Sequence, residues 1–158
     1  AASRAGLATA MAVPALACAV ALAGAVRSGG LGLGAPARRL AALAGLSFTV
    51  FVVGTMLVAP GDVIGAGYWG HTARCAGITC ALAAAPLALG VWAFRRSFAV
   101  SSRWRGACLG AAAGALAATT MSLICAIDGV AHVVLGHGLV ILAGAAAGAV
   151  FGDRILRA

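Results

Sequence analysis

The chain alternates long apolar stretches with short polar gaps. The stretches run over about 5–26, 40–60, 73–94, 105–127 and 129–151 and consist mainly of Ala, Leu, Val and Gly. Each is about 20 residues long, enough for a helix to cross a hydrocarbon core of about 30 Å. The pattern predicts an all-α, polytopic transmembrane helix bundle with five spans. The longest outside connection runs from about Pro60 to Thr72, so no segment between spans can bury a core of its own. The gaps on the other side hold only about ten residues each, which makes neighbouring spans antiparallel hairpins. Residues 1–158 are read as a single transmembrane domain.

Charge gives the bundle a direction. Nine of the 11 basic residues mark alternate gaps: Arg27, Arg38 and Arg39 in the first, Arg95, Arg96, Arg103 and Arg105 in the third, Arg154 and Arg157 after the last span. The opposite side holds Arg4 and Arg74, with Asp62, Asp128, His71 and His132. Positive residues collect on the cytoplasmic side, so the first residue is expected outside and the C-terminus inside. The chain begins with Ala, and an upstream segment with a further span is expected, which would make six spans. Residues 4–26 resemble a signal peptide in their Arg4 start and small residues, but the apolar run exceeds the usual core of about 7–15 residues.

Composition narrows the function classes. The hydrophobic fraction is 63%, the charged fraction 9% and the mean hydropathy +1.09. A net charge of +8 does not make a nucleic-acid binder here, because the arginines mark span ends and form no continuous basic face. The three acids all lie near span ends, and no nucleophile–histidine–acid set can be assembled, so no enzyme is expected. No resident cofactor is expected either.

Helix packing is written in small residues. Gly106, Gly110 and Gly114 recur every four residues in the fourth span, and Gly144, Gly148 and Gly152 do so in the fifth. Such strips let backbones approach closely, so these spans are expected to pack on each other or on a neighbour, a homo-oligomer being the second alternative. Pro14 and Pro86 sit inside spans one and three, where each removes a backbone donor. Tyr68, Trp69, Trp92, Phe94 and Trp104 cluster at span ends and read as the aromatic belt.

The cysteines carry the candidate chemistry. Cys75 and Cys125 are equidistant in sequence from Val100, the centre of the turn between spans three and four. At about 1.5 Å per residue they reach the same height, at the outer membrane surface. Two thiols at one depth can form a disulfide or hold a soft metal ion. His71 and His132 are expected near the same surface as additional ligands. Cys18, Cys80 and Cys108 read as small hydrophobes. His137 lies about two turns into its span and should face the bundle interior, bonded to Thr119, Thr120 or Ser122.

From Arg74 to Arg157 the chain resembles the NrsF-type membrane anti-sigma factors, negative regulators of extracytoplasmic-function sigma factors. The likeness rests on Cys75 followed by Pro86, the Arg95–Arg96 turn, the Gly/Ala helix from Gly106 to Cys125, His137 twelve residues later, and the closing Arg154–Arg157 segment. Gly136 stands where Trp would be expected and Ala126 where Pro would be. The resemblance implies a six-span inner-membrane protein, here without its N-terminal segment and first span. It implies a sigma factor held at the cytoplasmic face by that N-terminal segment together with the inside loops, with Arg95, Arg96, Arg103 and Arg105 as a partner loop. It further implies that Cys75 and Cys125 sense oxidative stress or bind heavy metal transiently. The competing expectation is a structural subunit of a respiratory or photosynthetic complex, whose partners would be other membrane subunits and lipid.

Overall fold

A computed structural model describes residues 37–59, 61, 64–94, 102–127 and 129–155. They form α1 (Ala37–Val58), α2 (Tyr68–Phe94), α3 (Ser102–Ile124), α4 (Val130–Val133), a π-helical turn (Val134–Gly138) and α5 (Leu139–Ile155). The last three run on as one rod. The described chain is all-α. Three of its helical stretches are long and apolar enough to cross a membrane: Tyr68–Ala93, Arg103–Ile124 and Val130–Gly152. These are the features of a multi-pass membrane protein. The apolar part of α1 is the shorter stretch Gly45–Leu57. The expected first span, with Pro14 and Cys18, lies outside the described residues.

The three long helices match the third, fourth and fifth apolar stretches with shifted ends. α2 begins at Tyr68 because the chain turns sharply just before it. Gly67 takes φ +84°, a left-handed conformation natural to glycine, and the Tyr68 amide donates to the Gly65 carbonyl. Pro86 lies inside α2, which continues past it to Phe94.

α3 is the hub. Residues 105–115 of α3 are buried on every side, although the helix is almost pure Ala and Gly there. That burial needs backbone-to-backbone packing, and the glycines provide it. A Cβ on Gly106 would lie 2.9 Å from Gly152 Cα, and one on Gly110 would overlap the Gly144 carbonyl oxygen. One on Gly114 would lie 2.6 Å from the Val140 oxygen. The two glycine strips therefore close on each other within the chain, and α3–α5 is the most extensive helix pair among the described residues. α1 covers a second side, where Phe51 packs with Ala111, Ala112, Ala115, Ala118, Val133 and Ile141. α2 covers a third, joining Ala83 to Ala117 and Val140. The outward faces carry exposed Leu, Ile, Val and Trp side chains, as lipid contact requires.

Candidate thiol–imidazole site

On α2 the inward stripe is Tyr68, Thr72, Cys75, Thr79 and Ala83, a helical spacing of four, three, four and four. Four of these five side chains carry polar atoms, yet none is fully exposed. In a helix otherwise open to lipid, polar groups turn toward the bundle. Thr72 and Thr79 also satisfy their hydroxyls locally, donating to the Tyr68 and Cys75 carbonyls at 3.0 and 2.7 Å.

Cys125 follows the last residue of α3, and its amide closes the final turn on the Met121 carbonyl. The structure brings its sulfur to 3.8 Å from Cys75 Sγ. On the other side, Cys125 Sγ lies 3.3 Å from His132 Nε2. The Thr72 hydroxyl fixes the tautomer of that ring. Its single proton goes to the Tyr68 carbonyl, so its oxygen must accept from His132 Nδ1, 2.9 Å away. His132 Nε2 then carries a lone pair, directed at the Cys125 thiol. A directed chain results: the Cys75 thiol donates to Cys125 Sγ, the Cys125 thiol to His132, His132 to Thr72, and Thr72 to the α2 backbone.

His137 completes the group. Its Nδ1 bonds Ser122 Oγ at 2.9 Å, and its ring stands edge-on to His132 with centroids 5.3 Å apart. Of the three partners expected for it, Ser122 is the one used; Thr119 and Thr120 donate to carbonyls of their own helix. The other nitrogen, His137 Nε2, is buried and has no hydrogen-bond partner among the described residues. An unpaired buried polar atom costs about 1–3 kcal/mol, so its retention calls for an explanation.

The π turn is what brings the two imidazoles together. Residues five apart in an α-helix point about 140° away from each other. Bonds from i to i+5 widen the turn, so that residue i+5 comes back over residue i. His132 and His137 are five apart, and the wide turn spans Val134–Gly138 between and around them. Glycines let it settle. A Cβ on Gly136 would meet the Thr72 carbonyl oxygen at 3.3 Å and Cys75 Cβ at 3.6 Å. One on Gly138 would meet the Phe51 ring at 3.1 Å.

Cys75, Cys125, His132 and His137 thus present one sulfur or nitrogen each, all within 4.8 Å of one another. The other expected residues fall elsewhere. His71 is exposed and stands outside this group, because its neighbour Thr72 occupies the inward stripe and successive helical residues diverge by about 100°. Cys108 is buried at 1% exposure in the α3 core and Cys80 is exposed, both apart from the group. Arg103 is exposed, whereas Arg105 is only 2% exposed. The expectation that Arg105 belongs to a partner loop is corrected: α3 starts at Ser102, which places Arg105 inside the helix and in the packed interior. Arg95 and Arg96 lie outside the described residues. Tyr68 is also corrected. It is buried and stacks edge-on to His132 at 6.1 Å instead of joining the belt, while Trp69, Trp92 and Trp104 are exposed.

Comparison with known proteins identifies one family. The profile of NrsF, negative regulator of sigma F, matches residues 2–157, far beyond the half of the chain that carried the motifs. No curated protein matches the chain. No solved structure matches it either.

Proposed function

The chain belongs to the NrsF family of negative regulators of sigma F, which are anti-sigma-type regulators and not enzymes; from that premise we propose that it holds its sigma factor at the cytoplasmic face of a bacterial inner membrane and releases it when the Cys75/Cys125 thiol pair is oxidised or takes up a metal. The observation that carries the sensing part is the 3.8 Å approach of the two sulfurs, one on α2 and one on the residue that follows α3. Five spans in this chain, with the first residue outside, are supported by the side preference of the arginines. On that orientation the thiols lie at the outer surface, where a disulfide can persist. The partner surface is the inside turn with Arg95, Arg96 and Arg103. Drawing the outer ends of α2 and α3 together would shift that turn, because the two helices form one hairpin. A coupling of about 1–3 kcal/mol suffices, the usual size for two linked sites. No observation favours the structural-subunit reading over this one.

The test is co-purification in mild detergent. Sigma F should accompany the parent protein and be lost after peroxide or cadmium treatment. The Cys75→Ser/Cys125→Ser variant should retain it under both treatments. Release from that variant equal to the parent's would refute the thiol pair as the sensor.

A further inference from the structure

We propose that His132 and His137 are metal ligands, and that with Cys75 and Cys125 they form a four-coordinate site of two nitrogens and two sulfurs for a divalent cation of the zinc(II) type. The inference deepens the reading of the thiol pair as a sensor and rests on it only for what metal binding would trigger.

The geometry is close to what a tetrahedral ion requires. Metal–sulfur bonds of about 2.3 Å at tetrahedral angles place two sulfurs about 3.8 Å apart. The two cysteine sulfurs are 3.8 Å apart. The corresponding sulfur–nitrogen edge is about 3.5 Å, and Cys125 Sγ to His132 Nε2 measures 3.3 Å. All four ligand atoms lie within 4.8 Å, so they can converge on one ion with small side-chain adjustments.

The surroundings of the histidines have the form found around metal sites. A ligating imidazole normally gives its second N–H to an outer partner, which fixes ring and tautomer. His132 Nδ1 is held by the Thr72 hydroxyl on α2, and His137 Nδ1 by the Ser122 hydroxyl on α3. Each hydroxyl comes from a different helix, and each leaves Nε2 for the centre. For His137 that atom is fully buried and has no hydrogen-bond partner among the described residues, which an incoming cation would remedy.

Charge selects the ion. Among the four residues of the group the two thiols are the acidic ligands, and as thiolates they can neutralise a divalent cation. Binding of a divalent ion expels one proton from each thiol, and the site stays neutral in a low-dielectric region. A monovalent ion bound by two thiolates would leave a net negative charge there. Soft sulfur and imidazole ligands in tetrahedral array exclude magnesium and calcium.

The experiment titrates the reduced, detergent-solubilised protein with cobalt(II), whose visible absorption reports tetrahedral sulfur–nitrogen ligation, and then displaces it with zinc(II). One ion per chain is expected, with two protons released. His137→Ala and His132→Ala should each weaken binding by more than about 100-fold and change the cobalt spectrum, and Ser122→Ala should weaken it by about 10–100-fold. His137→Gln keeps a polar side chain of similar size and guards against a folding defect. If the parent binds no cobalt(II), or if the histidine variants bind with parental affinity and spectrum, the assignment is overturned. Copper(I) binding by the cysteines alone, indifferent to both histidines, also overturns it. Each of these outcomes leaves sigma-factor release through the thiols intact. Four-ligand binding that never releases the sigma factor would instead overturn the sensor and keep the site.

Discussion

A methyl group added at Gly110 would overlap the Gly144 carbonyl oxygen, whereas one added at Gly136 would approach the Thr72 oxygen at 3.3 Å. The contrast separates two regions of the same helix pairing. Along the seam of Gly106, Gly110 and Gly114 with Gly144 and Gly148, backbone lies on backbone at the glycines. Around Cys75, Cys125, His132 and His137, contact is made by side chains linked through hydrogen bonds between elements. Dispersion at the seam depends on shape alone and has one solution. The thiol–imidazole region can change protonation or ligation without repacking the seam. A bistable element belongs in the second kind of region, with the first kind serving as the fixed frame.

The largest effect should therefore come from the smallest change at the seam. Gly110→Ala forces the α3 and α5 backbones apart, since a carbonyl oxygen cannot rotate away as a side-chain end can. It is expected to destabilise the protein by about 3 kcal/mol or more, at or above the upper end for overpacked cores. Thermal unfolding in detergent should show a large drop in Tm. An unchanged Tm would mean that the glycine strips do not close on each other, and the fixed frame would be lost from the comparison.

Gly138→Ala probes the border between the two regions and should cost less. Its added methyl meets the Phe51 ring at 3.1 Å, and a ring edge can yield by a few tenths of an ångström. A destabilisation of about 1 kcal/mol is expected. The Phe51→Leu background should relieve part of it, giving a coupling energy that a double-mutant cycle measures. Additive losses would show that Phe51 does not hold the end of the π turn.

What the sequence disclosed follows the same division. The seam was legible because backbone contact demands glycine at every fourth position, and Gly106, Gly110, Gly114, Gly144 and Gly148 carry that demand openly. The approach of Cys75 to Cys125 was legible because a hairpin of two regular helices equates distance from the turn with height. The pairing of His132 with His137 was not. A spacing of five separates two residues on a regular helix, and only the wide turn, settled by contacts of Gly136 and Gly138 with other helices, reunites them. Tyr68 and Arg105 were misplaced for a related reason. Both sit within one turn of a helix start, where composition marks the membrane boundary but not the face that packing will bury.

The smallest effect, and the one of opposite sign, should come from a glycine belonging to neither region. Gly77 lies on α2 between Cys75 and Thr79 in sequence, yet it is exposed and a Cβ there would meet nothing within 4 Å. Alanine is favoured over glycine in a helix by up to about 1 kcal/mol. Gly77→Ala should thus leave the packing untouched and raise Tm slightly, while sigma-factor release by peroxide stays as in the parent. A loss of stability at Gly77 would mean that the outward face of α2 is covered by something beyond this chain. The contrast between seam and site would then have to include a third surface, turned away from the rest of the described chain.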